Sequence, residues 1–152
     1  MISSTLHITA DVEQRASQDL SEVMPEAGDL LDALASFDRY GLWRFDIQKG
    51  LVYWSRDVYL IHGLEPKQGP VDIQKALNAY HLDDRAAVAN CLEEAIRKKT
   101  GFRFVLRIQV GLSDVKLVKS TGIFRTTSDG REELFGSFSE FQTPIRTVAI
   151  GV

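Results

Sequence analysis

His81-Leu82-Asp83-Asp84-Arg85 sets an imidazole and two carboxylates within five positions, a density that could bind a metal ion or relay a proton. A protein metal site usually needs three or four converging ligands. The whole chain holds three histidines and one cysteine. The same residues stand directly before a strongly periodic helical stretch. There a carboxylate accepts the first unpaired amide hydrogens and meets the positive end of the helix dipole. Capping by Asp83 or Asp84 is the expected role, with no metal ligand and no catalytic residue assigned.

The other reactive side chains read in a similar way. Cys91 could be a redox or photoactive thiol, but it sits on the apolar stripe of that helix, where a buried, inert cysteine is expected. His62 falls at the end of a short helix, where partial positive charge is favourable. Arg103 and Arg107 share the outward face of one strand; they could hold an anion or a partner, with solvated strand charges the commoner outcome. Arg97, Lys98 and Lys99 suit a solvated helix end. No glycine-rich phosphate loop, Ser-His-Asp order or paired glutamates for hydrolysis stands out.

The bulk properties leave room for one domain. At 152 residues the chain can bury a sizeable core without staples. A single cysteine excludes an internal disulfide, and no apolar run reaches the roughly 18 residues of a membrane span. No secretory pattern opens the chain, so a cytoplasmic location is expected. The net charge of −3 is uneven: residues 1–37 hold seven acids and one base, and residues 38–152 hold fourteen acids and seventeen bases. Neither part is basic enough for nucleic acid.

That division marks residues 1–37 as an N-terminal helical extension, with a main domain over 38–142 and a tail over 143–152. Val12, Ala16, Leu20 and Val23 fall at helical spacing over about 10–23, and Pro25 ends that helix or begins the next. Leu30, Leu31, Leu34 and Phe37 mark a second helix with Asp29 as a possible N-cap. Leu20, Val23, Ala27, Leu30, Leu34 and Phe37 keep a 3–4 rhythm that resembles a coiled-coil seam. They form either a dimerising arm or two helices packed on their own domain.

In the main domain, 41–46 and 51–54 read as strands around Ile47-Gln48-Lys49-Gly50. Ser55 and Gly63 bracket a helix over 56–62, and 72–79 form a short helical piece. Val88, Cys91, Leu92, Ala95 and Ile96 trace one stripe of a helix over about 83–99, which Gly101 releases. Phe102, Phe104, Leu106, Ile108 and Val110 alternate with Arg103, Val105, Arg107 and Gln109, and strands over 115–125 and 132–141 follow after tight turns. The last two strands are apolar on both faces, as if the N-terminal helices covered the outer one. The order predicts an α+β cup around an apolar hollow.

Tyr53-Trp54-Ser55 followed by Ile61-His62-Gly63, then His81-Leu82-Asp83-Asp84-Arg85 and the closing stretch Gly136 to Gln142, is similar to a PAS domain, specifically the bacterial sensor subgroup attached to histidine kinases and cyclic-dinucleotide enzymes. Leu82 stands where that subgroup usually has proline, and the final residues of the closing motif differ. The resemblance covers about Gly41 to Gln142. It implies a five-stranded antiparallel sheet with short helices and one long helix, and signalling by dimers through flanking helices. Flavin-binding light sensors of the family carry an Asn-Cys-Arg-Phe motif on a different helix, and heme-binding ones commonly place a histidine on the long helix. Cys91 lies in another context and residues 83–99 contain no histidine, so no cofactor is expected, neither heme nor flavin. Ten residues follow Gln142, so an output domain is expected to be absent and the chain to act through a partner or to be a fragment.

If the hollow binds a ligand, its expected walls are Trp43 and Phe45, Tyr59, Val88, Cys91 and Leu92, and Phe104 and Leu106. The alternative is that these side chains fill the core. The function expected is a non-enzymatic sensory module that binds a small ligand or a protein partner, such as a histidine kinase or regulator, and signals as a homodimer. A small isomerase-like or hydrolase-like enzyme on the same cup, and a purely structural interaction domain, are the competing readings.

Overall fold

The computed structural model describes residue 2, residues 5–23 and residues 26–152. Its elements are α1 (Ala27–Ala35), β1 (Tyr40–Asp46), β2 (Leu51–Trp54), α2 (Arg56–Ile61), β3 (Val71–Asp72), α3 (Ile73–Asn78), a 3-10 turn (Leu82–Asp84), α4 (Arg85–Lys98), β4 (Phe102–Val110), β5 (Asp114–Thr126) and β6 (Glu132–Glu140). Among the described residues, no helix is long and apolar enough to cross a membrane.

The strands form one antiparallel sheet in the order β3-β2-β1-β6-β5-β4, so the last strand slots beside the first. Five strands were expected. The sixth is the two-residue β3, paired to β2 through Leu51↔Asp72 and Val52↔Val71. Two residues carry no alternation that a sequence could display.

The pleat sorts side chains to two faces. Phe104, Leu106 and Ile108 of β4, Val118 and Ser120 of β5, and Leu134 and Phe138 of β6 are buried on the inner face. Helices α2, α3 and α4 lie over it, with Val58, Ile61, Ala76, Val88 and Ala95 buried between. The β4 edge is held by the chain before α4: the His81 amide donates to the Arg107 carbonyl at 2.9 Å, and the Gln109 amide to the Ala79 carbonyl at 2.8 Å. These bonds curl the sheet end toward the helices and cover part of an otherwise unpaired edge.

The stops of the short helices follow backbone chemistry. Gly63 ends α2 at φ 72°, the left-handed conformation glycine adopts without a Cβ penalty. At the end of α4 that conformation falls on Lys99, at φ 52°, and not on Gly101.

The N-terminal region differs from its pattern. Residues 5–20 form no helix, and 21–23 make a turn, with the Val23 amide donating to the Leu20 carbonyl. An isolated helix of this length is marginal in water unless a face is buried, and Val12, Leu20 and Val23 are exposed. The segment is instead tied to the end of α4: Lys98 Nζ lies 3.3 Å from Asp11 Oδ1, and the Thr100 hydroxyl donates to Gln14 Oε1 at 2.6 Å. Pro25 lies outside the described residues. Asp29 sits inside the first turn of α1, with Glu26 at the N-cap position.

The expected seam is therefore not continuous: Ala27, Leu30 and Leu34 lie on α1, Phe37 follows its end, and Leu20 and Val23 are not helical. Nor do N-terminal helices cover the outer sheet face, where Leu42, Val105 and Ile123 remain exposed.

Candidate functional site

A cavity of about 60 Å³ lies between the inner sheet face and the helices. Its walls include Trp43, Phe45, Val52 and Trp54 from the first hairpin, Val58 and His62 from α2 and its end, Ile73, Ala76, Leu77 and Tyr80 from α3 and beyond, Val88 and Leu92 from α4, and Phe102, Phe104, Ser120 and Phe138 from the later strands. A water needs roughly 10–15 Å³ of such space, so the hollow has room for a few water-sized groups as it stands. Ligand pockets for larger molecules run to roughly 300 Å³ or more.

Two glycines let aromatic rings close over the sheet beside the hollow. Cross-strand pairing sets Trp54, Trp43, Gly136, Gly122 and Phe102 in one row. Over the two glycines the Trp43 and Phe102 rings stack at 6.0 Å between centroids. A Cβ on Gly122 would come within 2.6 Å of the Phe102 ring and 2.8 Å of Trp43 Cη2. The Trp43 indole is fixed by its Nε1, which donates to Ser120 Oγ at 3.1 Å and the Ser137 carbonyl at 3.0 Å. Ser120 Oγ donates to the same carbonyl at 2.9 Å.

Of the wall residues expected from the sequence, Trp43, Phe45, Val88, Leu92 and Phe104 border the cavity. Tyr59, Cys91 and Leu106 do not. Tyr59 is buried edge-on against Trp54 at 5.1 Å, behind the wall. Leu106 lies one row further along β4, opposite Val118, in the solid part of the core. Cys91 packs half-buried at the margin of that core, and burial pushes its thiol pKa up. Tyr80, which the sequence reading passed over, stands edge-on to Phe104 at 5.7 Å, and burial raises its hydroxyl pKa strongly.

His62 is the wall residue with the most chemistry. It caps the end of α2 and is 6% exposed, between the Trp54 ring at 4.5 Å and the Phe138 ring at 5.1 Å, both nearly parallel to it. Its Nδ1 lies 2.8 Å from the Val58 carbonyl. A carbonyl only accepts, so Nδ1 carries the proton and Nε2 a lone pair. Nε2 is buried with no hydrogen-bond partner among the described residues. Burial lowers the imidazole pKa; the bond to Val58 opposes this, and the charge of Lys116 adds to it.

The acidic cluster before α4 also finds a structural use, though not the expected one. Asp84 stands at the N-cap position, but its carboxylate makes no bond to the helix amides. It accepts from the Arg107 backbone, Nε and Nη2. Arg107 is thereby drawn inward while Arg103 stays exposed, so the two do not act as one outward pair. His81 Nδ1 accepts from the Asp83 amide at 3.1 Å. Among the described residues no cluster of histidine, cysteine or acidic side chains is arranged to hold a metal ion.

A wider groove of about 410 Å³ lies by Tyr53, Trp54, Ser55, Arg56 and residues 66–69. It contains none of the expected site residues, and its floor is largely exposed.

The same architecture recurs in solved structures. A sensory box histidine kinase/response regulator from Burkholderia thailandensis E264 superimposes with a TM-score of 0.59 at 22% identity, over 76% of this chain and 84% of that one. The N-terminal domain of a diguanylate cyclase with PAS/PAC sensor from Marinobacter aquaeolei gives 0.59 at 13% identity, over 66% and 94%. An RNA-binding light-oxygen-voltage receptor gives 0.60 at 15% identity over 73% of this chain, which spans only 32% of that receptor. No curated protein matches the chain. The PAS fold family matches residues 51–138. That stretch runs from β2 through the long helix to the strand carrying Phe138, and so contains most of the cavity wall: the chain belongs to the PAS fold family.

Proposed function

We propose that this chain is a non-enzymatic sensory module that binds a small molecule in the cavity beneath α4 and passes the signal through α1 in a homodimer. The observation that carries this reading is the hollow itself: an aromatic-lined space bordered by five separate parts of the fold. A ligand that fits one arrangement of those walls better than another shifts the population between them. The walls connect to the surface through β1, which begins five residues after α1 ends. Ala27, Leu30 and Leu34 on α1, with Phe37 just beyond it, offer apolar surface for a second copy; Leu20 and Val23 flank that surface at the turn. The proposed setting is the cytoplasm, and the proposed partner is a histidine kinase or another regulator, in keeping with the named proteins that share the fold. A catalytic role is not part of this reading, because the cavity's polar groups are one histidine, one serine, one tyrosine and the indole nitrogens, with no carboxylate among them.

Native mass spectrometry of the full chain tests both parts at once. The expected spectrum shows a dimer that retains a small molecule or takes one up from a metabolite mixture. A monomer without uptake of any compound would overturn the reading.

A further inference from the structure

His62 gives the cavity a chemical preference. Its two faces are covered by Trp54 and Phe138, and its Nδ1 is engaged by the Val58 carbonyl. Since His62 borders the cavity, the edge left to do so is the one that carries Nε2. A buried acceptor without a partner has lost its hydration with no hydrogen bond in return, which is a net cost. Among the described residues no group offsets that cost at Nε2. Two other polar groups of the wall are differently placed: Trp43 Nε1 and Ser120 Oγ already donate to the Ser137 carbonyl.

We infer that the cavity takes a small, uncharged, mostly apolar molecule with one O–H or N–H group, which donates to His62 Nε2. This rests on the reading that the cavity binds a ligand, and adds what that ligand must carry. Charge is disfavoured because the rest of the wall carries no charged side chain and a lone ion there would be desolvated without a counter-charge. A flat body suits walls built from Trp43, Trp54, Phe102, Phe104 and Phe138. Leu77 and Leu92 are half-buried in the wall, and their side chains can move aside as a ring enters.

Phenol and toluene are matched probes: similar in size and shape, one with a donor and one without. Titration of the full chain with each, followed by tryptophan fluorescence and by the imidazole ¹⁵N resonances of His62, separates the outcomes. The expected result is that phenol binds about tenfold or more tightly than toluene, and that phenol alone moves the Nε2 resonance in the direction of an accepted hydrogen bond. His62→Phe, which keeps a flat ring between Trp54 and Phe138, is expected to abolish the preference; the resonance measurement on the unaltered protein stands even if this variant does not fold. Equal binding of both probes with Nε2 unmoved would overturn the inference and leave ligand binding intact. Binding of neither, together with no retained or captured molecule by native mass spectrometry, would overturn both.

Discussion

Arg107 grips Asp84 at three points. Its backbone amide and Nε reach Oδ2 at 2.8 and 3.0 Å, and its Nη2 reaches Oδ1 at 2.7 Å. The pair pins the start of α4 to the edge strand β4, and so sets the position of the helix that carries Val88 and Leu92 over the cavity.

Asp84 is buried, so removing it leaves a guanidinium without its counter-charge and a β4 amide without its acceptor. Asp84→Ala is expected to cost about 1–2 kcal/mol, chiefly through the unpaired β4 amide, read as a lower urea midpoint with an unchanged slope. The Arg107 side-chain bonds hold the Asp84 carboxyl below its usual 3.8, against the opposing effect of burial. A carboxylate pKa lower in the folded than in the unfolded state contributes stability above about pH 3.8 that is lost as pH falls through the lower folded value. Asp84→Asn should therefore flatten the acid limb of the stability profile.

His62 acts in a higher window. Its pKa is lowered from 6.5 mainly by burial, so the unfolded chain takes up the proton first. The contribution of neutral His62 is complete above about pH 6.5 and declines as pH falls through the folded value. The charge that acts on the ring does not counter this: Lys116 is itself a cation, and its Nζ pairs with Glu140 at 2.9 Å. Urea midpoints measured between pH 8 and pH 5 should fall for the wild type and change less for His62→Phe.

The paired glycines should respond unequally to alanine. On Gly136 a Cβ would overlap the Thr121 carbonyl oxygen, a backbone atom that moves only if β5 and β6 separate. On Gly122 it would press on the Phe102 and Trp43 rings, which can tilt into the cavity. Gly136→Ala is expected to destabilise by about 3 kcal/mol and Gly122→Ala by about 1 kcal/mol. Thermal unfolding gives the order, and the milder variant should also bind the phenol probe less tightly than the wild type.

Cys91 should be a slow thiol. Burial raises its pKa, so the thiolate fraction at neutral pH is smaller than that of a free cysteine. Reaction with a disulfide reagent at pH 7 should be slower than for a model thiol, and should speed up on unfolding.

The exposed leucines of α1 give a direct test of assembly. Leu30→Glu and Leu34→Glu, made in the full chain, place charge on surface that is already solvated in a single copy. They should leave the unfolding midpoint of the domain nearly unchanged while shifting sedimentation from dimer to monomer.

Local patterns in the chain were enough to lay out most of the elements. The alternation from Phe102 to Val110 marked β4 to the residue, the stripe from Val88 to Ile96 marked α4, and Ser55 and Gly63 bracketed α2, because each signal is local and each element buries one face. Where a local pattern had no face to bury it misled: Val12, Ala16, Leu20 and Val23 keep a helical rhythm, yet these side chains are exposed and residues 5–23 form no helix. The two residues of β3 were below the length at which any period is visible.

The site divides along the same line. Residue type and strand parity alone determined that Trp43, Phe45 and Phe104 would face inward, since side chains alternate along a strand whatever lies above it. Only the tertiary structure decided which inward side chains border space and which meet other atoms: Leu106 has the same parity as Phe104 but lies outside the wall. It also decided that the Asp84 carboxylate binds Arg107, 23 residues away, and that His62 is closed in by rings from β2 and β6. Those outcomes depend on how strands distant in sequence come into register, and a residue's neighbours along the chain do not encode the distance to a side chain on another strand.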